Sequence, residues 1–333
     1  MKRLSVFLIV IAAAYLAYSA YYSFASSSQV PRPANFNCLG TGSGDGQLLP
    51  LEPKPKYIYG LGLTYATHLK ETGSKFNRDI PPPVFKKALT SLNRSCEPVR
   101  MPDRQAIIER AENIEPGLGK KIDKKFAKLP PLLDYEGELA FILLEDVHWD
   151  KIRDPDYSPR IGYFLANDIS ARTIAILGEG VPNIYDYWGA SKSFEGFLPI
   201  GRQMWVPALE KPDSILCVTI TTKVNGIVRQ KQPVCDMVYT PKEMLGFIYE
   251  RFPDEPPQKG DVVLTGTSGG VAFQVPAWKA WLAKILRLDR FAKLAASIGS
   301  GRGNKKFLKS GDVVEVSSGI LGTVKIKISD TGS

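Results

Sequence analysis

Apolar residues in this chain fall mostly in short runs and in period-two alternation, the signature of β-strands rather than long helices. Residues 136–144 open with two glutamates and pass into Leu139-Ala140-Phe141-Ile142-Leu143-Leu144, an unbroken apolar run that reads as a buried strand. Residues 161–166 read the same way. Residues 216–224 alternate, Asn225-Gly226 turns the chain, and residues 227–230 resume, which predicts a hairpin. Shorter strands are expected at 56–63, 261–265, 312–316 and 324–328. Helical signals are fewer: a turn over 64–71, and a helix over 241–252 that starts with Pro241 after Thr240. The elements do not alternate as βαβα, so a doubly wound nucleotide-binding sheet is disfavoured. The expected class is α+β and strand-rich, a mixed β roll with few helices.

The first residues break this pattern. Lys2 and Arg3 precede an uncharged stretch from Leu4 to Phe24, close to the roughly 20 apolar residues that cross a bilayer as a helix. Residues 1–25 are therefore expected to be a membrane anchor with Lys2 and Arg3 on the cytoplasmic side, or a signal peptide cut near Ala25. Either places the rest of the chain, anchored or exported, on the non-cytoplasmic side. Residues 26–55 have the Ser, Gly, Pro and Asn content of a linker, and the catalytic domain is expected over 56–333.

Charge narrows the partners. The formal net charge of +9 suits nucleic acid, an anionic membrane or an acidic substrate. With no zinc-finger spacing and no RNP-like strand, nucleic acid is set aside. Cys38, Cys96, Cys217 and Cys235 form no CxxC pair, and their even number suits disulfides or free thiols equally.

Candidate chemistry begins with carboxylates. On a strand Glu136 and Glu138 point the same way, at the mouth of the apolar run; as a solvated strand end they need nothing more, but as a buried pair they need a compensating cation. A hard divalent ion, Mg²⁺, Mn²⁺ or Ca²⁺, is the natural partner. Asp168 ends the second apolar strand and is a third ligand candidate.

The order of motifs resembles the fumarylacetoacetate hydrolase family. The resemblance rests on Gly62-Leu63-Thr64-Tyr65 through His68 and Glu71, Tyr135-Glu136-Gly137-Glu138, Asn167-Asp168 through Arg172, Ser191-Lys192-Ser193-Phe194, Val224-Asn225-Gly226, residues 260–267 and residues 311–316. It implies a C-terminal-domain-like fold, a homodimer, a small oxo-acid substrate, and a Mg²⁺ or related ion held by Glu136, Glu138 and Asp168. It also implies metal-dependent hydrolysis of a carbon–carbon bond in an acylpyruvate-like 1,3-diketo acid. Oxaloacetate decarboxylation or tautomerisation, or oxo-acid hydration or isomerisation, are the alternatives on the same site. A disabled, membrane-tethered binding protein is the alternative from outside enzymology.

Within that frame His68 and Glu71, three residues apart on a helical turn, form a base dyad. Lys192 stabilises developing negative charge, and Arg172 and Thr267 bind substrate. His148 reads as a surface residue. Ala175 stands where family members carry a glutamine, and Ser268 where a proline is usual.

Residues 276–306 lengthen the chain beyond the family pattern. Residues 276–298 are expected as one amphipathic helix, with Trp278, Trp281, Ile285, Leu288, Ala292 and Ala295 on one face and Lys279, Arg287, Arg290 and Lys293 on the other, suited to a bilayer interface.

Overall fold

The computed structural model describes residue 15 and residues 33–42, 44–72, 76–94, 97–209, 211, 213–301 and 303–330. The expectation for residues 1–25 lies outside these, apart from Tyr15. Among the described residues no helix is long and apolar enough to cross a membrane.

Strands dominate. A nine-stranded mixed sheet has Ile161–Asn167 and Gly137–Leu143 as antiparallel neighbours near its centre. Both are buried along their whole length, which explains their unbroken apolar sequence. Val262–Leu264 and then Ile58–Leu61 and Val84–Lys87 extend the sheet on one side. Gln203–Pro207 and Gly46–Pro50 extend it on the other. A second sheet of five strands contains the predicted hairpin, Thr219–Val224 with Ile227–Pro233, and the C-terminal pair Val313–Ser318 with Gly322–Ser329. Asn225 and Gly226 have φ of 50° and 79°, as a tight hairpin turn requires.

Helices cover this frame. Eight are present among the described residues, more than the few expected, and none exceeds 12 residues. Arg104–Ile114 and Leu118–Lys125 bury Ile107, Ile108, Ala111, Leu118 and Ile122 in a core shared with Ile174, Leu177 and Ile326. Their apolar residues recur at helical spacing, Ile107, Ile108, Ala111 and Ile114 in the first and Leu118 and Ile122 in the second, a signal in the sequence that the strand-based expectation passed over. Pro241–Arg251 starts as predicted, with Thr240 and Glu243 closing a reciprocal capping box.

Two expectations need correction. The segment 26–55 is not linker throughout: Asn37–Leu39 pairs with Ser214–Leu216, and Gly46–Pro50 pairs with Gln203–Pro207. A Cys38–Cys217 disulfide fixes the first pairing. Edge strands held by backbone bonds need no apolar period, and their partners lie far away in sequence. Cys235 is a free thiol.

The region 276–298 is two helices, not one. Ala277–Ile285 ends at Leu286, Arg287 turns through φ 48°, and Arg290–Gly301 follows. The Asp289 carboxylate accepts the Ala292 N–H at 2.7 Å and starts the second helix.

Candidate metal and oxo-acid site

Register assembles the carboxylates. Gly137 lies opposite Asn167, and Glu138 opposite Ala166. The Asp168 N–H continues the pairing by donating to the Glu136 carbonyl at 2.8 Å. Glu136 before the start of one strand and Asp168 after the end of its antiparallel neighbour are therefore side by side. Asn167 secures the corner, its Oδ1 accepting the Glu136 N–H at 3.1 Å. Glu136, Glu138 and Asp168 each offer an oxygen within 4.8 Å of the others, and all three are buried.

Cations surround two of the three. Lys192, which follows the Ile184–Ser191 helix, places Nζ 2.6 Å from Glu136 Oε2 and 2.6 Å from Asp168 Oδ2. Lys87, at the end of Val84–Lys87, is fully buried and pairs with Asp168 Oδ1. Arg172 donates from Nε to Asp134 Oδ2 at 2.8 Å and from Nη2 to Glu136 Oε1. Asp134 also accepts the Ala272 and Phe273 N–H groups at 2.7 and 3.1 Å. The Arg172 guanidinium thus holds Asp134 and Glu136 through Nε and Nη2.

Glu138 is the exception. Its Oε2 accepts the Gly266 N–H at 2.9 Å, and no ion-pair partner reaches it among the described residues. Gly266 has φ 92° and packs so closely on Thr64 and Leu61 that a side chain there would collide with both.

The electrostatics follow this geometry. Burial acts to raise the Glu136 carboxyl, but Lys192 and Arg172 prevail and bring it down to about 2. Burial and the neighbouring Asp168 charge push Glu138 well above the carboxylate range. Burial lowers the Lys87 ammonium. Burial opposes protonated Lys192 too, but Asp168 and Glu136 outweigh it and raise its pKa. Three close carboxylates, one of them without a cation, form a hard-oxygen set that fits a divalent ion.

The expected dyad sits nearby, on Ala66–Thr72. His68 Nδ1 is 3.9 Å from Glu71 Oε2, an ion-pair distance too long for a hydrogen bond, and Nδ1 is buried without a hydrogen-bond partner. His68, despite that distance, holds Glu71 below its ordinary range, with burial opposing and the Gly270 N–H adding to the effect. That N–H reaches both Glu71 oxygens, at 3.0 and 2.9 Å. His68 is also close enough to Glu136 to help lower it. Thr267 is buried, and its Oγ1 accepts from Gln230 Nε2 at 2.9 Å. His148 is exposed, away from these groups.

Sequence inspection missed Lys87, Asp134 and Gln230. Lys87 belongs to Val84-Phe85-Lys86-Lys87, where two adjacent lysines look like a solvated strand end. Asp134 had a usable signal, since it opens the same Asp-Tyr-Glu-Gly-Glu run as the metal candidates.

Comparison with known proteins bears on the family and the fold. The fumarylacetoacetate (FAA) hydrolase C-terminal model matches residues 57–329. The chain is 26% identical over 281 residues to oxaloacetate tautomerase YisK of Bacillus subtilis, covering 83% of this chain and 71% of that protein. It is 26% identical over 227 residues to a mitochondrial oxaloacetate tautomerase of Xenopus laevis, covering 67% and 58%. A fumarylacetoacetate hydrolase structure from Exiguobacterium antarcticum matches with TM-score 0.52 at 22% identity, covering 84% of this chain and 78% of that one. A 5-carboxymethyl-2-hydroxymuconate delta-isomerase from Mycobacterium smegmatis matches with TM-score 0.51 at 21% identity, covering 85% and 80%. The two structures share the fold, and the activities in these names are those of the proteins that carry them. With the family model spanning nearly all of the folded body, this chain belongs to the fumarylacetoacetate hydrolase family.

Proposed function

We propose that this protein catalyses keto–enol tautomerisation of a small β-oxo diacid of the oxaloacetate class, with a divalent metal held by Glu136, Glu138 and Asp168. The observation that carries the proposal is the buried cluster with Glu138 left uncompensated. Asp134, Glu136, Glu138 and Asp168 face Lys87, Lys192 and Arg172, four acids against three cations. A divalent ion makes the centre net positive, which suits an anionic oxo-acid. When bound, such an ion polarises the oxo group and stabilises enolate charge.

The chain's own residues supply the rest. His68 accepts the proton from the carbon between the carbonyl groups, with the Glu71 carboxylate beside its ring. Lys192 Nζ adds fixed positive charge beside the enolate oxygen. Gln230 donates to Thr267 Oγ1, which leaves the Thr267 proton to meet a substrate oxygen. Ala175, in place of the usual glutamine, removes a polar group that would orient water, and proton transfer needs no such water. The names of the two tautomerase relatives point the same way.

Carbon–carbon hydrolysis of an acylpyruvate is the second reading. The His68–Glu71 pair favours it, since the same base can activate water.

One experiment separates these readings. Enol absorbance of oxaloacetate and of an acylpyruvate panel is followed with Mg²⁺ or Mn²⁺ and with chelator, with Glu138→Ala as control. Metal-dependent interconversion of oxaloacetate without new products supports the tautomerase. Cleavage products from an acylpyruvate support the hydrolase instead. Folded, metal-binding protein that turns over none of the panel sinks both and favours the binding-protein alternative.

A further inference from the structure

None of the described side chains of the helix Ala277–Ile285 is buried. Trp278 is 42% exposed, Trp281 40%, Leu282 39%, Ile285 56% and the following Leu286 58%. Positions 278, 281, 282 and 285 fall within one stripe at about 100° per residue. Lys279 and Lys284 flank that stripe on opposite sides, and both are exposed. The next helix behaves differently. Arg290–Gly301 buries Leu294 and Ile298, ties Arg290 to Glu115 at 2.6 Å, and pairs Lys293 with Glu179 at 3.1 Å. One helix of the pair is thus fastened to the body while the other presents aromatic and aliphatic surface.

Charge indicates what that surface meets. Residues 276–309 contain nine Lys or Arg and one acid, Asp289, a net +8 out of the chain's +9. Arg290 and Lys293 are paired with Glu115 and Glu179, while Lys279 and Lys284 stay exposed at the two edges of the apolar stripe. Tryptophan and leucine flanked by lysine suit the boundary between lipid headgroups and acyl chains: the stripe enters the apolar layer while the ammonium groups stay at anionic headgroups. A second protein with a merely apolar face would gain nothing from this charge.

The sequence also allows the approach. The apolar run ends at Phe24 and the first described strand begins at Asn37. A connection of that length reaches at most about 45 Å, so a domain tethered by residues 1–25 stays close to the bilayer.

We propose that the helix Ala277–Ile285 docks on an anionic lipid bilayer, with Trp278, Trp281, Leu282 and Ile285 seated in the interface. The proposal concerns this helix alone and stands apart from the reaction. Docking would also bring the membrane close to the site, because the loop that donates the Gly270, Ala272 and Phe273 N–H groups to Glu71 and Asp134 leads directly into this helix.

The test uses the full chain in vesicles of phosphatidylcholine and phosphatidylglycerol with brominated acyl chains, which quench tryptophan only at the lipid boundary. Flotation reports attachment through the N-terminal segment, and quenching reports the helix. The wild type should be quenched, with a blue shift of emission. Leu282→Asp/Ile285→Asp keeps both tryptophans and alters exposed positions only, and it should float undiminished while losing the quenching. Lys279→Glu/Lys284→Glu should lose it in part, as should wild type in 0.5 M salt or in pure phosphatidylcholine vesicles. Flotation without quenching in the wild type overturns the proposal and leaves the N-terminal tether intact. Equal quenching in the Leu282/Ile285 variant also overturns it. So does concentration-dependent self-association that this variant abolishes in the absence of lipid, which would make the face a contact between copies.

Discussion

The carboxylate centre and the 276–309 segment both concentrate charge, and they handle it in opposite ways. At the centre four acids and three cations are packed together with little or no solvent access. The segment holds nine cations and one acid; Arg290 and Lys293 pair with acids of the body, and Lys279, Lys284, Arg287, Lys305 and Lys309 face water. The physical reason is desolvation. A charge removed from water must be paired or carry a large penalty, so the buried set is balanced almost one for one. Exposed charges carry no such penalty and can accumulate for a partner of opposite sign. Buried balance organises a site, and exposed imbalance advertises a surface.

The contrast can be broken most directly at Lys192. Lys192→Met leaves Glu136 and Asp168 without a shared cation, and without added metal should cost about 3–5 kcal/mol of unfolding free energy in urea. A loss below about 1 kcal/mol would mean that buried pairing does not organise the centre. Saturating Mg²⁺ should recover part of the loss, because a ligand of the native state stabilises it.

Within the insertion, Leu294→Ala should cost about 2–5 kcal/mol, as expected for a fully buried leucine. An effect as small as that of a surface site would detach the second helix from the core.

A pH series sharpens the same attachment. Glu115, bonded by Arg290 and Tyr187 against the opposing effect of burial, falls from an ordinary 4.5 to about 2. A depressed carboxyl stabilises the fold fully above 4.5, and that contribution fades as pH falls toward 2. The melting-temperature gap between wild type and Glu115→Gln should therefore hold steady above pH 5 and close across that window. A gap unchanged at pH 2 would rule out the Arg290 clamp as its source.

The smallest effect belongs to Leu282→Ala, an exposed change expected to move stability by no more than about 0.5 kcal/mol. Set beside Leu294→Ala, it measures how differently the two helices are held.

Much of this was legible in the sequence, for a local reason. The runs Leu139 to Leu143 and Ile161 to Ala166 are apolar throughout because their strands are buried on both faces. Asn225-Gly226 specifies its turn by backbone geometry, and Thr240, Pro241 and Glu243 carry the start of their helix in four residues. Glu136 and Glu138 could be assigned to one face because strand alternation fixes it. The break between the two insertion helices was also encoded, in Asp289, but apolar spacing continues across it and suggests a single helix.

What stayed hidden depends on residues far apart in the chain. Lys87 looks solvated until the sheet places it on Asp168, 81 positions away. Arg172 has no visible partner in the sequence until the fold brings Asp134 and Glu136 to its Nε and Nη2. The strands within 26–55 have polar, aperiodic sequences and exist through their partners and through Cys38–Cys217. The sequence by itself determined the identity of the central buried strands, turn chemistry, capping and the presence of three candidate ligands, because these rest on spacing along the backbone. Only the tertiary structure decided which cation meets which carboxylate, that Glu138 meets none among the described residues, and which insertion helix is buried, because pairing and desolvation are set by distance in space.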